Sequence, residues 1–136
     1  MSTLPADQHA YNAALIEEFR AAGRRLGERP LLLLTTTGAR TGADRVTPMM
    51  YVRDGDRLLV IASNAGAPRH PDWYHNLVAD PRVTVEVDGE RWAGTATPLT
   101  GAEHDAAWER IVAGHPFFAD HAARAGRRIP VVALTR

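Results

Sequence analysis

The sequence predicts an α+β fold, mostly β: a six-stranded, mostly antiparallel barrel with an N-terminal helix and further helices outside it. Three observations carry this. Short β-type runs recur between turn signals, and Asp54-Gly55 and Asp88-Gly89 are the dipeptides of tight hairpins. Helical patterns lie at both ends and between strands, and 136 residues are too few to add two packed sheets to them. The length suits one domain over residues 1–136, with a helical segment over 1–29 and the barrel over 30–136.

The elements follow in order. Asp7 is placed to cap a helix whose apolar positions Tyr11, Leu15, Phe19, Ala22 and Leu26 recur at helical spacing, with Gly27 as its stop. The opposite face, with Glu17, Glu18, Arg20, Arg24 and Arg25, is compatible with peripheral contact at a membrane, although packing on the chain's own domain is the favoured reading. Leu31–Thr37 reads as a first strand, followed by a loop bracketed by Gly38 and Gly42. Arg45–Arg53 is a second strand, which Pro48 confines to an edge or a bulge. Arg57–Ser63 is a third. A short helix, capped by Asp72, covers His70–Leu77 and stops before Pro81. Arg82–Asp88 alternates Val83, Val85 and Val87 with Thr84, Glu86 and Asp88, so Glu86 is expected on a solvent face. A fifth strand follows Gly89. Thr100 and Glu103 form a capping box for the next helix, another helix follows Pro116, and Pro130–Leu134 is the sixth strand.

Composition removes several function classes. Sixteen basic residues balance sixteen acidic ones, which is not the footprint of a general nucleic-acid binder. All sixteen basic residues are Arg, so neither a Schiff-base lysine nor a Walker lysine exists. Cys is absent, which excludes disulfides, thiolate metal sites and thiol nucleophiles. His9, His70, His75, His104, His115 and His121 include no i, i+4 zinc pair, so no metal is expected. The longest apolar run, Leu31–Leu34, cannot span a bilayer. Met1–Gln8 carries no charged segment leading into an apolar one, so the cytoplasm is the expected compartment.

Some residues invite a chemical reading. The loop Gly38-Ala39-Arg40-Thr41-Gly42 with Arg45 offers backbone N–H groups and two guanidinium forks to a phosphate or carboxylate, or it is a plain connection with solvated arginines. Asn64-Ala65-Gly66-Ala67-Pro68 follows a buried strand, where backbone can approach a ligand. Trp73 and Tyr74, beside Asn76, form either a wall for a ring system or a core plug. Ser63 lacks the Gly-x-Ser-x-Gly elbow of a hydrolase and suits a ligand contact better.

Taken together, Thr35–Gly42, then Arg45 and Pro48, then Ala62–Gly66 and Pro71–Leu77 resemble the deazaflavin-dependent nitroreductase family over about residues 31–136. The resemblance implies a split β-barrel of the flavin-binding type and coenzyme F420 as the two-electron carrier. By that resemblance Arg40, Thr41, Gly42 and Arg45 would hold the phosphate and glutamyl tail. Pro48 and Met50 would line the ring pocket, Ala62, Ser63 and Asn64 would run beside the deazaflavin, and Trp73 and Asn76 would close the groove. The chain departs from the pattern at Asn64 and Ala65, where the family often carries Lys and Gly, and at His115, Phe118 and His121, where its nitroimidazole-reducing members carry tyrosines. His115 and His121 become the candidate catalytic proton donors. The implied function is a reductase delivering hydride from reduced F420 to a quinone, enone or nitroaromatic acceptor, as a monomer or homodimer. An FMN enzyme on the same barrel and a non-catalytic carrier of F420 or an apolar ligand are the alternatives.

Overall fold

Four consecutive leucines in the first strand leave no polar face, so that strand must be covered on both sides. The computed structural model, which describes residues 4–136 without the side chains of residues 4–7 and 9, shows how this is done. Strand β1 (Leu31–Thr37) lies between β2 (Asp44–Met50) and β5 (Arg82–Val87). Leu32 and Leu34 point into the barrel with Val83, Val85 and Val87. Leu31 and Leu33 lie beneath helix α1 (Leu4–Ala21), against Leu15 and Phe19. Burying each such leucine contributes roughly 1.5–3 kcal/mol.

The remaining strands are β3 (Val52–Asp54), β4 (Arg57–Ile61), β6 (Glu90–Pro98) and β7 (Val131–Thr135). They form one antiparallel sheet in the order β2-β1-β5-β6-β7-β4-β3, so there are seven strands where six are expected. The extra strand comes from the run 45–53, which breaks at Tyr51. Its first part pairs with β1 and its last part with β4. The two sheet edges are thus joined through a single residue, whose N–H donates to Pro30 O at 3.0 Å, and the sheet curls into a split barrel. Pro48 sits opposite Leu33 on edge strand β2, where its missing N–H costs nothing in the ladder.

Helix α2 (Asp72–Ala79) inserts Leu77 into the barrel core, while α3 (Gly101–Gly114) and α4 (Phe117–Ala125) cover the outer face of β4 and β7 through Ile111, Phe118 and Ala125. Several local expectations are corrected. Helix α1 already begins at Leu4, so Asp7 lies within it and is not its cap; the Asp7 side chain is outside the described residues. It ends at Ala21 rather than Gly27, because Gly23 takes φ +80° and the chain closes with Gly23 N–H to Arg20 O and Arg24 N–H to Phe19 O, a Schellman stop. Tyr11 and Ala22 are exposed, whereas Leu15, Phe19 and Leu26 of the predicted stripe, with Ile16 beside it, pack against the barrel. Asp72 is the first residue of α2 and makes no capping bond, Pro71 being the cap position. Thr100 precedes α3 without a side-chain cap, and Glu103, the other half of the expected capping box, pairs instead with Arg57 at 3.0 Å.

The largest correction is Glu86. It is 1% exposed, because its register partner is Leu33 and both lie under the end of α1. Arg20 binds its carboxylate with both Nε (3.0 Å) and Nη2 (2.8 Å), and Arg24 Nε adds a third bond at 3.1 Å.

Candidate functional site

A cleft of about 770 Å³ opens between α1, the β1–β2 loop, β2 and α2. It gathers Arg40, Thr41 and Arg45 from the loop and strand with Trp73 and His75 from α2. Asn76 lines it as well, although its amide is spent inside the protein: Oδ1 accepts from Ala39 N–H at 2.9 Å and Nδ2 donates to Thr36 Oγ1 at 3.2 Å. Asn76 is therefore the tie between α2 and the loop rather than a free ligand group.

The loop's own bonds decide which donors remain. Gly38 N–H is taken by Ala43 O, Ala39 by Asn76, Gly42 by Gly38 O and Ala43 by Thr41 Oγ1. Gly42, at φ +73°, makes the turn and does not line the cleft. Among the described residues, the Arg40 and Thr41 N–H groups at the tip are left without an intramolecular acceptor. Arg40 and Arg45 are exposed and, among the described residues, have no acidic partner, whereas Arg20, Arg57, Arg110 and Arg128 are ion-paired. Two uncompensated guanidinium groups and two N–H groups on one cleft wall suit an anionic ligand, with Asp72 the acid of the lining. A smaller cleft of about 410 Å³, around Arg53, Trp92 and Arg136, is less suited, because its arginines are paired with Asp88 and Glu90.

Trp73 is half-buried: it packs on the barrel core and also lines the cleft, so the wall and the plug readings both describe it. Pro48 and Met50 do not line the cleft, and Met50 packs in the cluster that contains Phe118 and Ile61.

A second group forms where β4 runs out. Ala62 and Ser63 are buried, and Asn64 is exposed with Nδ2 bonded to Arg69 O at 3.1 Å. Asn64, Ala65 and Gly66 all have positive φ, at 51°, 55° and 86°. Among the described residues, the N–H groups of Ser63, Asn64 and Ala65 have no intramolecular acceptor. Ser63 Oγ meets His121 Nδ1 of α4 at 3.2 Å. His121 belongs to an aromatic cluster with His115, Phe117 and Phe118, in which Phe117 is 43% exposed and Phe118 is buried. His115 has no bond to the loop; its ring lies 6.0 Å from Phe117.

The segment 62–70 leads directly into α2, and the His70 ring lies tilted to Tyr74 and edge-on to His75, with centroids 4.8 and 5.7 Å apart. Arg127, which contacts this segment from beyond α4, has no local signal in the sequence; its acceptors lie 57 to 65 residues away. Among the described residues, no three His, Asp or Glu side chains are arranged to hold a metal ion, and no helix is long and apolar enough to cross a membrane.

Comparison with known proteins adds the family. Residues 10–136 match the family described as F420H(2)-dependent quinone reductase. The F420H(2)-dependent quinone reductase Rv1261c of Mycobacterium tuberculosis is 41% identical over 126 residues, covering 87% of this chain and 85% of that protein. Among solved structures, an F420-H2 dependent reductase (FDR-A) superposes with a TM-score of 0.70 at 36% identity, covering 78% of this chain and 94% of that one. A structure described as a domain-swapped dimer superposes at 0.73 with 32% identity, covering 96% and 98%.

Proposed function

Because the chain belongs to the F420H(2)-dependent quinone reductase family, we propose that it is a reductase using reduced F420, with a quinone-type molecule as its acceptor. The observation that carries the assignment of the site is the pair of guanidinium groups, Arg40 and Arg45, that have no acidic partner among the described residues and lie on one wall of the 770 Å³ cleft. F420 bears a phosphate and an acidic glutamyl tail, and the donor set fits that chemistry.

When bound, reduced F420 supplies the hydride. The protein's own groups divide the remaining work. Arg40, Arg45 and the Thr41 N–H hold the anionic end. Trp73 gives an aromatic wall, and Asn76 keeps the anion loop seated on α2. The N–H groups of Ser63, Asn64 and Ala65 offer donors to ring oxygens. His121 is the better of the two histidine candidates for the proton, since Ser63 holds its Nδ1 and so leaves Nε2 to carry and release the proton. This reading places the protein in the cytoplasm, as a monomer or homodimer, with contact at a membrane confined to α1.

Titration of the protein with F420 and separately with FMN, followed by turnover of reduced F420 with one quinone, tests the proposal. F420 is expected to bind at least tenfold more tightly than FMN and to be oxidised only when quinone is present. Equal or tighter binding of FMN overturns it.

A further inference from the structure

We infer that Arg127 is a positioning residue of the cofactor segment, holding residues 62–70 in the shape that leaves the Ser63, Asn64 and Ala65 N–H groups available to a ligand. This rests on the reading of residues 62–64 as part of the F420 site.

The guanidinium is used on every side. Nε donates to Ala67 O at 3.2 Å, Nη1 to His70 Nδ1 at 2.9 Å, and Nη2 to Ala62 O, Ser63 O and Arg69 O at 3.2, 3.1 and 2.9 Å. No carboxylate lies within ion-pair distance of Arg127 among the described residues, so its charge is met by carbonyl dipoles and one imidazole. Bonds from a cation to carbonyls are stronger than neutral ones, and a guanidinium spreads five N–H donors over a rigid planar fork where an ammonium has three on one atom.

The segment needs such a hold. Asn64 and Ala65 are non-glycine residues in the left-handed region, a conformation that the surroundings have to impose. With the carbonyls of Ala62 and Ser63 drawn toward Arg127, the N–H groups that follow are turned to the other side of the chain. The clamp also reaches α2. A guanidinium only donates, so His70 Nδ1 must accept and the proton sits on Nε2. Burial, the charge of Arg127 and His75 all lower the His70 pKa, in that order, and Tyr74 packs on the same ring. His70 in turn lies edge-on to His75, which lines the anion cleft. Arg127 is thereby the side chain that links the β4 end of the site to α2.

The test uses the full chain as wild type, Arg127→Lys and Arg127→Met. Nitrogen-15 NMR of wild-type His70 is expected to show Nε2 protonated and Nδ1 unprotonated at pH 7; a proton on Nδ1 overturns the clamp without any variant. Both variants are expected to lose at least tenfold in F420 affinity per folded molecule; Arg127→Met, which removes the charge, is expected in addition to raise the His70 pKa and to regain affinity with added guanidinium. Variants that melt earlier but bind F420 as wild type does would make Arg127 a purely structural residue and overturn the inference. Wild-type protein that fails to bind F420 overturns the functional reading instead, and the inferred role toward the cofactor with it.

Discussion

Asn76 accepts the Ala39 N–H at 2.9 Å, and this one bond fastens the anion-binding loop to helix α2 across 37 residues of sequence. The other end of the same amide is held by Thr36, so Asn76 is a buried crosslink between a strand, a loop and a helix. Asn76→Ala leaves the Ala39 N–H and Thr36 hydroxyl without that partner and is expected to cost about 1–3 kcal/mol of stability. Asn76→Asp keeps an acceptor for Ala39 but puts a negative charge beside Arg40 and Arg45. It is expected to lose more F420 affinity than stability, and parallel chemical melts and cofactor titrations read the two apart.

Arg40→Ala and Arg45→Ala are expected to leave the melting temperature within about 2 °C of wild type, because neither side chain is buried or ion-paired. Each is expected to weaken F420 binding about tenfold, the loss of one charge-assisted contact of roughly 1.5 kcal/mol. The salt dependence of binding should flatten in both variants. An unchanged dissociation constant at low salt removes that arginine from the site.

His121→Ala is expected to slow quinone reduction under saturating reduced F420, because the side chain that delivers the proton is gone. Ser63→Ala removes the hydroxyl partner of His121 Nδ1 and is expected to slow the reaction less than His121→Ala does. His115→Ala, at a residue with no bond to the loop, is expected to change the rate less than twofold. Steady-state rates from pH 5 to 9 decide between water and His121 as the proton source.

The Glu86 carboxyl is held below the ordinary value of 4.5, chiefly by the bonds from Arg20 and against the opposing effect of burial. With the folded pKa below the unfolded one, this stabilisation is fully present above about pH 4.5 and is lost as pH falls through the folded value. Glu86→Gln is expected to cost about 2 kcal/mol at pH 7, discounted for the partly exposed arginines, and progressively less in urea melts taken toward pH 3.

Ala65 sits at φ 55° and ψ 28°, where its Cβ is strained. Ala65→Gly is expected to raise stability by about 0.5–1 kcal/mol, the relief of that strain less the entropy of a freer unfolded chain. Differential scanning calorimetry showing a lower melting temperature would mean that Cβ packing outweighs the strain.

Turns and strand patterns are legible from the residues alone, whereas the helix caps at Asp7, Asp72 and Thr100 are not. The Asp54-Gly55 and Asp88-Gly89 hairpins, the leucine strand, the alternating valines of β5 and the edge position of Pro48 are set by residues within a few positions of one another, and each is found where those residues place it. The motif blocks 35–42 and 62–77 were legible too, and with them the family. Only the tertiary structure decided which partners lie across the chain. Period-two alternation put Glu86 on an open face, and nothing nearby in sequence shows that Arg20 and Arg24 arrive from 66 and 62 residues away to cover it. The run 45–53 reads as one strand because a strand's pattern does not say that its two halves serve opposite edges of a curling sheet. Arg127 has no local signal, since its five acceptors, all within residues 62–70, meet it only once the chain beyond α4 has been brought onto the end of β4. Side-chain alternation and turn chemistry are short-range properties of the backbone, whereas burial and charge pairing depend on which distant segments close the barrel.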